Sequence, residues 1–408
     1  MKLRKLLIAL LAAALLCTAA GAAGYSDLPD THWANKQAAY LQGEIKGYPD
    51  GTFRPNNTVT RAEFLTMFAR VAYPEEYQAQ EASAWWQPAY AVCTAHELLA
   101  DITGDRAEPM PRHEIASLLG RFCSGWGGMN ESTSAAMPLN INWKEQRLES
   151  PERQPIFSDT AKYERSSDNI RFCANQGLLT GYPDGSFQPD KGVTRAEAAT
   201  VIARLKAQLS LREKGCDYVC TVGQYWLMQC QTEKTRSLAL YEPYTGKLHE
   251  TIFSRGKTAA DAEGPLATTL LSGSDGMYVW GEAGLYKRSG DALEQITADP
   301  VFDLCWSGDT HLYYLSWDAG KETPSYFGAG VYYPCASQVK LLTLSGSGAK
   351  TTLLASRDAQ DPMMNLTNIY VENEKIYAAG SYFMGMADYH AALFEVKDGK
   401  LSLLFGAY

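Results

Sequence analysis

Hydrophobic positions follow three patterns along the 408-residue chain. An uninterrupted apolar run covers residues 6–16. Apolar residues then recur at helical spacing up to about residue 212, most clearly at 64–71 and 198–205. From Cys216 onward the helical period disappears, and short aromatic and β-branched runs alternate with turn-forming residues. The pattern predicts a leader, a helical half and a β-rich half.

The first segment has the features of a secretory signal peptide. Lys2, Arg4 and Lys5 precede the apolar run, and small residues at 19–23 follow it, which predicts a leader over residues 1–23. A membrane-spanning helix needs about 20 apolar residues, and this run is shorter. We therefore expect an exported chain with no transmembrane segment after cleavage.

The helical half contains an internal repeat. Residues 47–63 (GYPDGTFRPNNTVTRAE) and 181–197 (GYPDGSFQPDKGVTRAE) are identical at twelve of seventeen positions without a gap. Pro-Asp-Gly predicts a turn in each copy, and Thr-x-x-Glu predicts a capping box at the start of a helix. The capping pairs are Thr60 with Glu63 and Thr194 with Glu197. These four residues therefore have a structural explanation.

The arginine inside each Thr-Arg-Ala-Glu tetrad (residues 60–63 and 194–197) needs a different explanation. Arg61 and Arg195 occupy the first helical position, where the positive end of the helix dipole disfavours a cation. Free backbone N–H groups and a guanidinium held together can bind a carboxylate or another anion. We predict anion binding at both positions. The alternative is an intramolecular ion pair with a neighbouring acidic residue.

Together these motifs resemble the S-layer homology family. The resemblance rests on Ser-Asp openings at 26–27 and 158–159, the triplet His32-Trp33-Ala34, the GYPDG-x-F-x-P turn and the Thr-Arg-Ala-Glu tetrad. Because such modules usually occur in threes, the resemblance implies a middle copy. A degenerate one has Trp85-Trp86, a helix at 89–99 and the tetrad 111–114 (PRHE), without the turn. The expected domains are module 1 (24–76), module 2 (82–124), an insertion loop (125–156) and module 3 (157–212).

The resemblance also implies a function. Three modules of this family form an α-helical pseudo-threefold assembly that binds secondary cell-wall polysaccharide, often with pyruvylated sugars, and so anchors a secreted protein at the cell surface. A pyruvate carboxylate suits arginine, and a sugar ring suits an aromatic face. Peptidoglycan is the alternative partner, and a buried core position is the alternative for Trp33. The expected polysaccharide-binding residues are Asp27, Trp33, Arg61, Arg112, Asp159 and Arg195.

Residues 216–408 are predicted to form an all-β domain of four units, each a Tyr-bearing strand followed by a hairpin. A β-propeller-like array is the leading interpretation and a β-sandwich is the alternative. The strands are centred on Tyr225-Trp226, Tyr278-Val279, Tyr313-Tyr314 and Tyr377, and the hairpins turn near Gly246, Gly290, Gly346 and Gly399.

No catalytic motif or metal-binding spacing is recognisable in this half, so neither a cofactor nor a metal is expected. Asp303, Asp309 and Asp318 are interpreted as solvated loop charges rather than a glycosidase pair. Tyr326-Phe327 and Tyr332-Tyr333 are either an ordinary loop or a ligand surface. We expect a non-enzymatic binding or structural module. The alternative is a wall-anchored glycan or peptide hydrolase.

The net charge disfavours one class of partner, and the cysteines allow disulfides. The formal net charge is −9, and loss of the leader leaves 34 basic against 46 acidic residues, or −12. This balance disfavours a nucleic-acid binder, which needs clustered basic residues. Eight cysteines remain after cleavage, enough for four disulfides of unpredictable pairing. Cys216, Cys220 and Cys230 could suggest a metal site, but no histidine lies near them.

Overall fold

A computed structural model describes residues 24–124, 126, 140–142, 147–149, 157–256, 267–272, 276–308, 310–317, 325–328, 331–334, 336–345, 348–356, 364–383 and 389–406. The predicted leader, Asp309, Asp318, Cys335 and Gly346 lie outside the described residues. The chain divides into two compact units. The helical unit comprises Met1–Ser124, Lys162–Ile170 and Gly181–Ala207, and the β unit comprises Gly125–Ala161, Arg171–Thr180 and Gln208–Tyr408.

Three helices begin at the arginine of a tetrad. The helices are α1 (Asn35–Tyr40), α2 (Arg61–Ala72), α3 (Pro74–Gln78), α4 (Gln87–Ala95), α5 (Arg112–Phe122), α6 (Glu164–Asn175) and α7 (Arg195–Arg212). The predicted apolar stretches 64–71 and 198–205 fall inside α2 and α7. Helix α4 ends before the predicted residue 99, because Glu97 adopts a left-handed backbone conformation (φ 56°).

Both predicted capping boxes are present. At the start of α2, the Thr60 hydroxyl accepts a hydrogen bond from the Glu63 N–H, and the Glu63 carboxylate accepts one from the Thr60 N–H. Thr194 and Glu197 make the same reciprocal pair at the start of α7. Pro111 precedes α5 and makes no side-chain cap. The middle copy therefore begins its helix without this device.

The tetrads of the helical unit are joined by a closed ring of backbone hydrogen bonds. The Val59 N–H donates to Val193 C=O (2.9 Å), Val193 N–H donates to Met110 C=O (3.2 Å), and Met110 N–H donates to Val59 C=O (3.0 Å). Each of these residues lies two positions before its tetrad arginine. All three side chains are buried, as are Phe53 and Phe187 of the repeated turns. The repeated segments thus form one shared core.

The β unit contains four antiparallel sheets of four strands. Sheet A is formed by β3–β6, sheet B by β7–β10, sheet C by β11, β12, β15 and β16, and sheet D by β17–β20. The strands are β1 (Asn140–Asn142), β2 (Arg147–Glu149), β3 (Cys216–Val222), β4 (Tyr225–Gln231), β5 (Thr235–Tyr241), β6 (Leu248–Gly256), β7 (Ala267–Ser272), β8 (Gly276–Gly281), β9 (Gly284–Ser289), β10 (Ala292–Thr297), β11 (Asp303–Ser307), β12 (His311–Ser316), β13 (Ser325–Gly328), β14 (Val331–Pro334), β15 (Gln338–Ser345), β16 (Gly348–Ser356), β17 (Met364–Glu372), β18 (Lys375–Phe383), β19 (Tyr389–Lys397) and β20 (Lys400–Gly406).

Each predicted unit corresponds to one sheet. The four Tyr-bearing segments are β4, β8, β12 and β18, the second strand of sheets A to D. The last two strands of each sheet form the predicted hairpin. Between β19 and β20, Asp398 and Gly399 both have positive φ (51° and 77°), as a two-residue hairpin turn of this kind requires.

Apolar clusters pack the sheets in chain order. One cluster joins sheets A and B through Leu227 and Val279, a second joins B and C through Trp280 and Leu312, and a third joins C and D through Leu315 and Phe394. Because successive residues of a strand point to opposite faces, one strand can serve two clusters. The described strands form no closed barrel or closed propeller, so a propeller-like array and a sandwich both remain predictions.

Two segments predicted as loops contain short hairpins. In the insertion, β1 pairs with β2 through Ile141 and Leu148. In the Gly- and Pro-containing segment of the β half, β13 pairs with β14, with Tyr326 opposite Tyr333. The loop interpretation is therefore corrected for residues 140–142, 147–149, 325–328 and 331–334. For β13 and β14 the reason is that paired aromatic and β-branched residues favour strands even when turn residues surround them.

One disulfide is present among the described cysteines. Cys216 and Cys230 are bonded across β3 and β4, where the two residues are direct register partners. The metal alternative for these residues is thus corrected, since their thiolates are consumed by the bond. Within the described part of the chain, no group of three potential ligands could hold a metal ion. The remaining described cysteines are not part of a disulfide: Cys93, Cys123, Cys173, Cys220 and Cys305.

Candidate functional site

Arg195, at the start of α7, packs against the repeated turn of the first copy, and we call the surroundings of its guanidinium (Lys46, Tyr48 and Phe53) the Arg195 groove. Its Nη2 donates to the Lys46 carbonyl (2.6 Å), and its guanidinium lies 5.1 Å and 5.0 Å from the ring centroids of Tyr48 and Phe53. The residue is only 8% exposed, and its buried Nε has no hydrogen-bond partner among the described residues. A buried N–H donor without an acceptor is unfavourable. The geometry therefore offers an anion a cation and an unused donor.

The turn that faces Arg195 is held by carboxylates. Both Asp27 oxygens accept backbone hydrogen bonds, from Phe53 (2.7 Å) and Arg54 (2.8 Å), and Arg54 has a left-handed conformation (φ 57°). The Asp27 carboxylate therefore positions the turn, and its expected role in binding polysaccharide stays a prediction. Asp50 accepts side-chain hydrogen bonds from Thr52 and Arg54. These bonds, the one from Thr52 most of all, lower the pKa of Asp50 from 3.8 to about 2. The aromatic wall of the groove thus rests on a fixed backbone.

Arg112 lies in the corresponding position against the turn of the third copy. Its Nε donates to the Phe187 carbonyl (2.8 Å), and its guanidinium lies 4.9 Å and 4.6 Å from the rings of Tyr182 and Phe187. The Tyr182 hydroxyl in turn donates to Glu197 (3.1 Å) and accepts from Lys191 (3.0 Å). Arg112 and Arg195 therefore share an aromatic environment, which favours a desolvated guanidinium.

Arg61 has a different environment. Its Nε and Nη2 donate to the two oxygens of Glu114 (2.7 and 2.9 Å), and its Nη1 donates to Glu108 (3.2 Å) and the Asp105 carbonyl (3.3 Å). Hydrogen bonding to Glu114 raises the pKa of Arg61. The intramolecular ion pair, the alternative for Arg61, is therefore present, and the expected role of Arg61 in binding polysaccharide stays a prediction.

The backbone N–H groups at the helix starts are also satisfied. Arg61 N–H donates to the Glu108 carbonyl, Arg112 N–H to Lys191, and Arg195 N–H to Asn57, at 2.8–3.1 Å. The expectation that free N–H groups join the guanidinium in binding an anion is corrected, because neighbouring turns supply their acceptors. At Arg195 the guanidinium alone provides the unused donor.

Two tryptophans are exposed at the module openings. Trp33 is 58% exposed and stacks on His32, with the ring centroids 5.5 Å apart. Trp85 of the degenerate copy is 60% exposed. The core alternative for Trp33 is therefore wrong. Each of the two indoles, of Trp33 and of Trp85, exposes a surface that a sugar ring can contact. Asp159 is half-buried, and its expected role in binding stays a prediction.

The aromatic residues of the groove were missed by the sequence argument. Tyr48 and Phe53, like Tyr182 and Phe187, are the Tyr and Phe of the repeated GYPDG-x-F motif. The available signal was their fixed spacing from the tetrad arginine in both copies. Their absence from the middle copy was also visible, and this is the copy whose acidic residues surround Arg61.

In the β unit, Asp303 has a structural role. It is 4% exposed, and its Oδ2 accepts a hydrogen bond from the Ile369 N–H (2.8 Å), which connects sheet C to sheet D. The interpretation of Asp303 as a solvated loop charge is therefore wrong. A buried carboxylate of this kind is stabilised by hydrogen bonds from the backbone.

Comparison with known proteins agrees with the repeat. The family described as "S-layer homology domain" matches residues 24–65 and 156–199, which are the openings, turns and tetrads of the first and third copies. This chain contains S-layer homology domains. The two matched segments include Arg61 and Arg195, together with the turn residues that wall the Arg195 groove.

The curated relatives that this chain matches are much longer than the chain itself. Cell surface glycoprotein 1 of Acetivibrio thermocellus is 29% identical over 191 residues, covering 44% of this chain and 8% of the relative. The cellulosome-anchoring protein of the same organism is 25% identical, covering 47% and 27%. S-layer protein EA1 of Bacillus anthracis is 26% identical, covering 50% and 22%. This chain therefore spans at most 27% of the length of these relatives.

The S-layer homology domains and these relatives support a secreted location at the cell surface or cell wall, and a role in cell-surface anchoring. Across the described residues, no helix combines the length and the apolar character needed to cross a membrane.

Proposed function

We propose that the helical unit anchors the protein by binding an acidic cell-wall polysaccharide in the Arg195 groove. The observation that carries the proposal is the buried Arg195 guanidinium, whose Nε has no acceptor among the described residues. A carboxylate on the polymer would accept this donor and pair with the charge. The adjacent rings of Tyr48 and Phe53 keep water from competing.

The chemistry of the groove indicates a sugar that carries a carboxylate, of which a pyruvate ketal is one example. Aromatic faces suit the C–H surface of a sugar ring, and Trp33 and Trp85 add exposed faces outside the groove. Such binding is non-covalent and needs no nucleophile or cofactor. Peptidoglycan is the second candidate partner, because its peptides also carry carboxylates.

We also propose an arrangement for each unit. The ring of hydrogen bonds through Val59, Met110 and Val193 supports a pseudo-threefold packing of three modules. The four four-stranded meanders, packed in chain order, support a propeller-like array in the β unit. Its proposed role is a displayed binding or structural module.

A pull-down with purified cell-wall sacculi tests the anchoring proposal. Arg195→Ala should reduce binding at least about tenfold, because a hydrogen bond to a charged group contributes roughly 1.5–3 kcal/mol. Arg121→Ala is the matched control, since Arg121 is a half-exposed arginine paired with Asp101 on the helical unit. If Arg195→Ala binds as tightly as the parent protein, the assignment of this groove is wrong.

Two preparations of sacculi identify the polymer. The first retains its secondary polysaccharide, and the second has been stripped of it chemically. Binding to the first preparation alone supports the polysaccharide. If the protein binds both preparations equally, and Arg195→Ala binds neither, the partner is peptidoglycan rather than the secondary polysaccharide.

A wall-anchored glycan or peptide hydrolase is the alternative function, with an active site in the β unit. Incubating the full-length protein with sacculi and measuring released reducing ends and amino groups tests this alternative. Release that persists in Arg195→Ala when the substrate is soluble would favour the hydrolase, because anchoring is then unnecessary for the reaction.

A further inference from the structure

We infer that Glu114 is an internal occupant of the Arg61 position and closes that groove to external anions. The inference rests on the proposed function, because its consequence is the number of tetrad arginines that can take part in wall binding. Its first test, however, uses only a small carboxylate and does not depend on the wall polymer.

The contact between Glu114 and Arg61 has the geometry of a bound carboxylate. Both Glu114 oxygens accept from the guanidinium, at 2.7 Å from Nε and 2.9 Å from Nη2. Glu114 is 2% exposed and Arg61 is 7% exposed, so the pair is removed from water. Two-point contacts of this kind are the strongest that a guanidinium makes. An external carboxylate would need the same two donors.

The remaining sides of the Arg61 guanidinium are also covered. Glu108 and the Asp105 carbonyl accept from Nη1. Gly104 lies so close that a Cβ built there would be 2.1 Å from the guanidinium carbon. The groove thus has neither an unused donor edge, as at Arg195, nor space on this side for a sugar.

The degenerate tetrad explains why Glu114 is available. In the intact tetrads, Glu63 and Glu197 accept hydrogen bonds from the backbone N–H of Thr60 and Thr194. Pro111 occupies the same position and has no N–H to donate. Glu114 therefore has no capping partner, and its carboxylate reaches α2 instead. A single proline thus converts a capping residue into a ligand for the neighbouring arginine.

Comparison with Arg195 identifies what Glu114 replaces. Arg61 and Arg195 are both the first residue of a tetrad helix, and both donate their backbone N–H to a neighbouring turn. At Arg195 aromatic rings surround the guanidinium and Nε is unused. At Arg61 a carboxylate of the chain itself accepts from Nε. Removing this carboxylate should create a site for an external one.

A thermal titration with acetate tests the inference. Glu114→Ala should lower the melting temperature by about 10 °C, because it leaves a buried charge unpaired. Sodium acetate should then raise the melting temperature of this variant with increasing concentration, whereas sodium chloride at equal ionic strength should not, because a ligand that binds only the folded state stabilises it. The parent protein should show no difference between the two salts.

Glu63→Ala is the matched control, because Glu63 occupies the same tetrad position and caps its own helix. It should be destabilised without any acetate dependence. Absence of a specific acetate effect on Glu114→Ala overturns the inference. If Glu114→Ala does not fold, Glu114→Gln replaces it, and a stronger acetate effect on Glu114→Gln than on the parent supports the inference.

Binding stoichiometry with wall-polymer fragments separates this inference from the proposed function. If the parent protein binds fragments and acetate stabilises Glu114→Ala, both are supported. If neither protein binds fragments but acetate stabilises Glu114→Ala, the proposed function fails and the inference stands. If the parent binds through Arg195 and Glu114→Ala gains neither fragments nor acetate stabilisation, the inference fails alone.

Discussion

Arginines at equivalent positions of repeated helices can differ completely in their chemistry. Arg195 and Arg112 lie against aromatic rings, whereas Arg61 is bound by two carboxylates. The difference comes from residues elsewhere in the chain, because Glu114 is 53 positions from Arg61. The tetrad itself predicts where the guanidinium lies, but the residue that meets it is set by another module.

The tight contact between Gly104 and Arg61 leads to a prediction about volume. Gly104→Ala should destabilise the protein by about 1–3 kcal/mol, because the new methyl group must displace a guanidinium fixed by Glu114 and Glu108. Gly43→Ala is the matched control, since a Cβ there meets nothing within 4 Å. Urea denaturation of both variants measures the difference. Equal stability would mean that the guanidinium moves freely.

A second prediction concerns the acid dependence of the first turn. Asp50 has its pKa lowered from 3.8 to about 2, so its charged form stabilises the folded state above about pH 4, and this contribution is lost as the pH falls towards 2. Asp50→Asn should therefore melt at a lower temperature than the parent at pH 5, and the gap should narrow between pH 4 and 2. If the difference in melting temperature between the two proteins does not depend on pH, the charge of Asp50 is not its cause.

At the scale of helices and strands, local patterns account for most of the structure. The helices α2 and α7 follow from capping boxes and apolar periodicity, and the four sheets follow from repeated strand and turn signals. Exceptions arise where contacts are distant or the signal is short. Helix α4 ends early, at Ala95, just before the left-handed Glu97, and the hairpin β13–β14 lies in a segment that composition marks as a loop.

The site was predicted less completely than the fold. Arg195 and Trp33 were identified because the repeat places them and their environments are compatible with binding. The structural role of Asp27, whose carboxylate holds the turn, was not predicted, since sequence does not show which acceptors the backbone needs. Tyr48 and Phe53 were overlooked because an aromatic residue in a turn motif is commonly a core residue.

The disulfide gives a prediction at the level of one sheet. Cys216 and Cys230 join neighbouring strands and are 14 residues apart. In the chain-entropy view, closing a loop of this length stabilises by about 3 kcal/mol. The double variant Cys216→Ser/Cys230→Ser should therefore lower the stability of the β unit, measured by hydrogen exchange of β3 and β4. Cys220→Ser is the control, because Cys220 is unbonded on the same strand.

At the scale of the whole molecule, the protein and its proposed ligand have the same sign of charge. The chain has 46 acidic and 37 basic residues, and an acidic polymer would be repelled at long range. A buried cation such as Arg195 is effective only at contact, where the surrounding protein weakens screening. Recognition should therefore depend on short-range fit rather than on long-range attraction.

This balance of charge leads to a kinetic prediction. Added salt should increase the association rate with an immobilised acidic wall polymer, because it screens the repulsion beyond a Debye length of about 10 Å at 0.1 M. The dissociation rate should change much less, since the Arg195 contact is buried. Surface binding measured over a range of salt concentrations tests this. A falling association rate would indicate a basic patch as the first contact.

The ring through Val59, Met110 and Val193 gives the degenerate middle copy an indispensable place. The Met110 carbonyl accepts from the Val193 N–H, and the Met110 N–H donates to the Val59 carbonyl. The middle copy is thus hydrogen-bonded to both outer copies. This copy can lose its turn, its capping threonine and its open groove, yet excising it would leave a buried donor and a buried acceptor unmatched. The middle copy is therefore needed for the packing of both outer copies even without the turn and the capping threonine that they share.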